Sequence, residues 1–166
     1  MRIFTTAFFL LLPLAFGADK HPWASFKPGS YAKLRTTATV AGNKTVTEMT
    51  QTLISVDANN AVVETETKVM GQTMKNRTPI PLKTAATPAN APQGKPVTPV
   101  NETISAAGKS LACKCVDMES NANGMKTSTR ACTSEAVPGG AVKVVSKSTG
   151  TVKMDSVTEL VEFAAK

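Results

Sequence analysis

The chain has 166 residues, 19 Lys and Arg against 12 Asp and Glu, and a formal charge of +7. That length holds one domain with a real core. The basic residues are scattered singly, without runs or interleaved aromatics, which argues against a nucleic-acid track or a base-stacking platform.

The first 17 residues read as a targeting segment. Arg2 supplies a positive start, Ile3 to Phe16 form a short apolar run broken by Pro13, and Ala15-Phe16-Gly17 places small residues at the −3 and −1 positions. Cleavage before Ala18 follows, and the run is too short for a spanning helix. The expectation is an extracytoplasmic protein, periplasmic or secreted, with no transmembrane segment after signal removal. Removal leaves 149 residues whose only aromatics are Trp23, Phe26, Tyr31 and Phe163. Val, Leu, Ile, Met and Ala must therefore fill the core. Trp23, Phe26 and Tyr31 cluster ahead of the first strand, either as a plug of core at one sheet end or as the lip of a binding mouth.

The mature chain is rich in Thr and Val and lacks long helical periodicity. β-Branched residues suit a pleated surface. Ala61 to Val69 alternates apolar or Thr residues with Glu64, Glu66 and Lys68, the pattern of a strand with one wet face. Lys44 to Val56 is expected to pair with it through an Asn59-Asn60 turn, setting Val56 opposite Val63 and Met49 opposite Met70. Val46, Ile54, Val56, Val63 and Val69 then share one face, with Glu48 as the exception. Further turns are expected at Ala41-Gly42-Asn43, Gly71-Gln72, Asn121 to Gly124, Pro138-Gly139-Gly140 and Thr149-Gly150. In the last segment the apolar residues change phase, which predicts a bulge near Asp155-Ser156. Pro79 to Pro99 holds six of the ten prolines; it reads as an extended loop and not a central strand. It divides four strands from about five. The fold class expected is all-β: a single domain, 18–166, built on a curved, mainly antiparallel sheet of about eight to ten strands, a half-barrel or open barrel.

Three cysteines remain in the mature chain: Cys113, Cys115 and Cys132. Cys113 and Cys115 share a strand face. A hairpin turn centred on Ala122-Asn123 sets Cys113 opposite Cys132, so a Cys113–Cys132 disulfide with Cys115 as a free thiol is the expectation. Metal is the sharper alternative, but the familiar zinc spacing is absent and no second Cys pair or nearby His completes a tetrahedral set. The reading therefore assigns no metal and no cofactor.

Catalysis finds no foothold. His21 is the only histidine and sits on a short arm before Pro22. No nucleophile elbow, phosphate loop or zinc-protease motif occurs, and the chain reads as a non-enzyme. Asn43, Asn76 and Asn101 head glycosylation sequons, relevant only in a eukaryotic secretory route.

Two stretches carry a resemblance. His21-Pro-Trp-Ala-Ser-Phe-Lys-Pro-Gly-Ser-Tyr31 and Thr133-Ser-Glu-Ala-Val-Pro-Gly-Gly-Ala-Val142 resemble segments of small uncharacterised secreted bacterial β-proteins, with Cys132 where their pattern usually has Trp. The layout is similar to the half-barrels of periplasmic lipoprotein carriers and lipocalin-like proteins. The resemblance implies a curved sheet outside the cytoplasm and transfers no active site. Two functions follow as expectations. One is a carrier or sensor of a lipid or other apolar or amphipathic ligand on the concave face. The other is a structural or protein-interaction component of the cell envelope.

Overall fold

A computed structural model describes residues 21–69, 71–83, 98–122, 124–150 and 153–166. The expected signal peptide, Met70 and residues 84–97 of the proline-rich stretch lie outside them. The chain is all-β. In chain order the strands are β1 (Tyr31–Val40), β2 (Asn43–Val56), β3 (Asn60–Val69), β4 (Gln72–Pro81), β5 (Val100–Ala106), β6 (Lys109–Ala122), β7 (Met125–Thr133), β8 (Ala141–Thr149) and β9 (Met154–Ala164). They form one open, unclosed antiparallel sheet in the order β4-β3-β2-β1-β9-β8-β7-β6-β5.

Two meanders, β1–β4 and β5–β9, are each built from neighbours in sequence. They meet through the pairing of β1 with β9, Tyr31 opposite Ala164 to Val40 opposite Met154. The proline-rich stretch begins inside β4, which carries Pro79 and Pro81. Both prolines fit because β4 is an edge strand. The Leu82 N–H donates to Asn59 O at 2.7 Å, so even-numbered N–H groups here turn toward β3. The prolines occupy odd positions, where the missing donors face outward.

Burial concentrates at one end of the sheet. Ala32, Leu34, Leu53, Ala61, Val63, Leu111, Ala131, Val142 and Leu160 are buried there. Trp23 and Phe26 pack on Leu53, Ala61 and Val63. The N-terminal turn is tied down by backbone bonds, Gly29 N–H to Leu53 O at 2.8 Å and Leu53 N–H to Ser30 O at 2.9 Å. The Val137-Pro138-Gly139-Gly140 loop closes over the same end: Val137 is fully buried, and the Gly140 N–H donates to Val137 O at 2.8 Å. Gly139 is required twice over. Its φ is +76°, and a β-carbon there would stand 2.9 Å from Trp23 Cζ2. Tyr31 is not part of this plug. Its hydroxyl donates to a Glu162 carboxylate oxygen in an exposed pair, which raises the phenol pKa.

The hairpin registers differ from the expected ones for local reasons. Between β2 and β3 the loop is Ala58-Asn59, because Asp57 Oδ1 accepts the N–H groups of Asn59 at 2.7 Å and Asn60 at 2.8 Å. This Asx arrangement stabilises the turn one residue earlier than an Asn-Asn turn. A bulge then leaves Ile54 unpaired, with Leu53 opposite Val63 and Ser55 opposite Val62. Leu53 is consequently the core residue, and Ile54 is 37 % exposed. Val46 and Glu48 turn to the opposite face from Val63, and Met49 lies opposite Thr67. The bulge expected near Asp155-Ser156 falls instead at Val161, between the pairs Lys33–Glu162 and Leu34–Leu160. It lets Leu160 and Phe163 both join the core.

Trp23→Ala is expected to lower stability by about 3 kcal/mol or more, read as the shift in a chemical-denaturation midpoint. Asp57→Ala is expected to loosen the β2–β3 hairpin. The Asn59 and Asn60 N–H groups hold the Asp57 carboxyl below its ordinary pKa. Its contribution is therefore present above the unfolded aspartate range and lost as pH falls through the folded value. Wild type and variant should differ in midpoint at neutral pH and converge in acid.

Candidate functional site

Because side chains alternate along every strand, the nine registers sort the sheet into two faces. Among the described residues the sorting by charge is nearly complete. One face carries Lys33, Arg35, Glu48, Glu64, Glu66, Arg77, Asp117, Arg130, Lys143 and Glu159. These form cross-strand ion pairs, including Arg35–Glu48 at 2.9 Å, Arg77–Glu64 at 2.7 Å, Arg130–Asp117 at 2.6 Å and Lys143–Glu159 at 2.9 Å. Arg35 and Lys33 hold the Glu48 carboxyl below its usual pKa, and Lys75 does the same for Glu66. Exposed pairs of this kind add little stability each. Their effect is on register, since like charges set opposite one another are disfavoured.

The opposite face has no charged strand residue from β4 across to β7; Lys114, near the β5 edge, is the exception. Its rows can be followed across the sheet. One runs Thr45, Ala38, Ser156, Ser146, Thr129, Met118 from β2 to β6, and the next runs Val40, Met154, Ser148, Thr127, Ser120. Hydroxyls bond to each other along the rows: Thr36 with Thr158 at 2.8 Å, Thr127 with Ser148 at 2.9 Å and Thr129 with Ser146 at 2.9 Å. Each such bond uses one of the two O–H donors, so the pairs offer the remaining donor together with methyl and methylene groups to whatever lies against them. The described strand methionines, Met49, Met74, Met118, Met125 and Met154, all fall on this face. Met74 is 53 % and Met125 40 % exposed. Methionine is flexible and polarisable, and it adapts its shape to varied apolar surfaces.

The charged face has its own concavity. β5 approaches β9, and Lys109 Nζ sits 4.6 Å from the centre of the Phe163 ring. Beneath β5 lies an open cleft of about 450 Å3, lined by residues that include Glu102, Ile104, Arg130, Cys132, Lys143 and Val145. The β5–β9 half thus curls toward its charged side, and the uncharged face is not the inside of that curl.

The cysteines lie in this charged concavity. Cys115 and Cys132 are directly opposed, their Cα atoms 4.0 Å apart, and form a disulfide. Cys113 is the free, buried thiol. The expected Cys113–Cys132 bridge with a free Cys115 is corrected accordingly. β6 and β7 close with Ala122 opposite Met125, and Gly124 supplies a φ of +73°. An Asn-Gly dipeptide is the strongest short hairpin signal, whereas a loop centred on Ala122-Asn123 would set an alanine where φ must be positive. The two-residue difference keeps every side chain on its face and changes which cysteine meets Cys132. Burial, with the nearby Glu102 charge, pushes the Cys113 thiol pKa up. Glu102, on β5, was not singled out by the sequence. It lies opposite Cys113, pairs with Arg130, and its Oε2 is 3.6 Å from Cys115 Sγ.

The lone histidine takes part in the N-terminal turn. His21 Nδ1 accepts the Trp23 N–H at 3.3 Å, and burial lowers its pKa. No helix among the described residues is long and apolar enough to cross a membrane. No protein family, curated protein or solved structure matches the chain.

Peptide mapping without reduction should recover a Cys115–Cys132 link, with Cys113 alkylated only after denaturation because its buried thiol stays protonated at neutral pH. Reduction should cost ~3 kcal/mol of stability by the chain-entropy estimate for a loop of this size.

Proposed function

We propose that this chain is an extracytoplasmic, non-enzymatic binding protein that holds an apolar or amphipathic ligand, such as a lipid, against its uncharged sheet face. The observation that carries the reading is the segregation of charge. A face meant only for water has no reason to exclude Lys and Glu from row after row while its reverse side is laced with ion pairs. The mixture of methionine, valine and internally bonded hydroxyls suits a ligand with hydrocarbon to bury and neutral polar groups to place. The segment resemblance to secreted β-proteins supports the location; the class of activity rests on the chemistry of the uncharged face and not on the half-barrel layout, since that face is not the concave side expected to hold the ligand. The same face also suits a protein partner in the cell envelope, so the test separates the two.

The protein is purified from its own host and analysed by native mass spectrometry and solvent extraction. A co-purifying lipid is expected. Thr129→Lys and Ser146→Lys, each placing a charge in the middle of the uncharged face, should strip it, while Ser128→Lys on the opposite face should leave it bound. Lipid-free protein carrying a stoichiometric protein partner would replace the carrier with the envelope-component reading. Retention of lipid in both charged variants would remove the ligand from this face.

A further inference from the structure

The buried Cys113 thiol has no part in the disulfide and none in the uncharged face, yet it sits among metal-binding chemistry. Cys113 and Cys115 share one face of β6, Glu102 stands opposite Cys113, and Cys132 stands opposite Cys115. Four donors of suitable kind therefore occupy adjacent positions on three strands. The ligand atoms of Glu102, Cys115 and Cys132 all lie within 4.8 Å of one another. We propose that reduction of the Cys115–Cys132 disulfide converts this cluster into a tetrahedral site for a thiophilic divalent cation of the zinc class, bound by Cys113, Cys115, Cys132 and Glu102.

The geometry of three of the four donors, Glu102, Cys115 and Cys132, is close to what the ion needs; Cys113 stands outside that group and must turn to join it. With Zn–S bonds of ~2.3 Å, ligand atoms around a tetrahedral ion stand roughly 3.7 Å apart. The Glu102 Oε2 to Cys115 Sγ distance of 3.6 Å already matches. Two sulfurs released from a disulfide, about 2.0 Å apart when bonded, reach that spacing by moving less than ~1 Å each. Cys113 Sγ now lies 3.5 Å from Leu111 O, a weak interaction that a side-chain rotation exchanges for the ion. Glu102 reaches the open cleft and provides a way in.

Charge is partly offset. Three thiolates and a carboxylate bring four negative charges, and the ion returns two. Arg130, paired with both Glu102 and Asp117, and Lys143, opposite Cys132 and paired with Glu159, stand in the surrounding layer and soften the remainder. The redox step consumes a dithiol reductant. Two electrons and two protons pass to the bridge as the reductant forms its own disulfide, and the cation then displaces three thiol protons. The oxidised protein has only Cys113 and Glu102 to offer and should not bind.

The test uses the mature chain, oxidised or reduced with a phosphine under anaerobic conditions, with Co2+ as the spectroscopic probe and Zn2+ as competitor. Reduced protein should take up one equivalent with the sulfur-to-cobalt charge-transfer and tetrahedral d–d bands of a thiolate site, displaced by Zn2+, and oxidised protein should show neither. Cys113→Ser, which keeps the native disulfide, should after reduction lose more than the ~10-fold in affinity that removal of an outer-layer partner costs. Glu102→Gln should also weaken binding and alter the d–d bands. Equal affinity in wild type and Cys113→Ser, or no cobalt bands from reduced protein that keeps its sheet circular dichroism, overturns the proposal. If reduction unfolds the chain, added Zn2+ must restore the sheet signal, and failure to do so overturns it equally.

Discussion

The pairing of β1 with β9 is the contact on which the rest of the sheet depends. Every other neighbouring pair is a hairpin or a short connection closed locally, but Tyr31 meets Ala164 across nearly the whole described chain. Without it there would be two small meanders, each with another exposed edge and a fraction of a core. With it, Leu34 and Leu160 are set side by side and the buried ends of both halves share one apolar cluster. Such a contact closes a long loop and tends to slow folding. It also explains why the ends of the described chain are bound together by polar contacts, with the Lys27 N–H donating to Lys166 O and the Lys166 N–H to Ser30 Oγ.

The second constraint is register. In a sheet with nearly all of its strand charge on one side, a slip of one residue in any strand would carry ion-pair partners onto the neutral face and neutral residues into the ion-pair ladder. The ladder therefore works chiefly as a specification of alignment. The bulges at Ile54 and Val161 show the same demand from the apolar side: each drops one residue from pairing so that Leu53, or Leu160 and Phe163, can reach the core.

Much of the architecture was legible because it rests on local signals. The all-β class, the strand count, the division into four and five strands and most turn positions follow from β-branched composition and from Gly, Asn and Pro placement. Registers were less legible, since they turn on which of two adjacent residues begins a loop. At Asp57 a side-chain acceptor decided the matter, and before Met125 the positive φ of Gly124 did. The cysteine partner changed with that choice. The association of Glu102 with the cysteines could not be read at all, because β5 and β6 had to be aligned first. The uncharged face was hidden for the same reason: Thr, Ser and Met look unremarkable along one strand, and their separation from charge emerges only when nine strands are laid in register.

The prolines of β4 bear on how copies of this sheet can meet. Sheets extend by adding strands to open edges. At the buried end of β4, Pro79 and Pro81 remove the outward donors, leaving residues 72–78 as the stretch able to accept another strand. On the other side β5 covers β6 only as far as Cys115, so residues 116–122 of β6 lack a strand on that edge among those described. Both open stretches lie toward the hairpin tips, away from the core. Any edge-to-edge stacking would therefore be held by half-length edges with little apolar burial behind them.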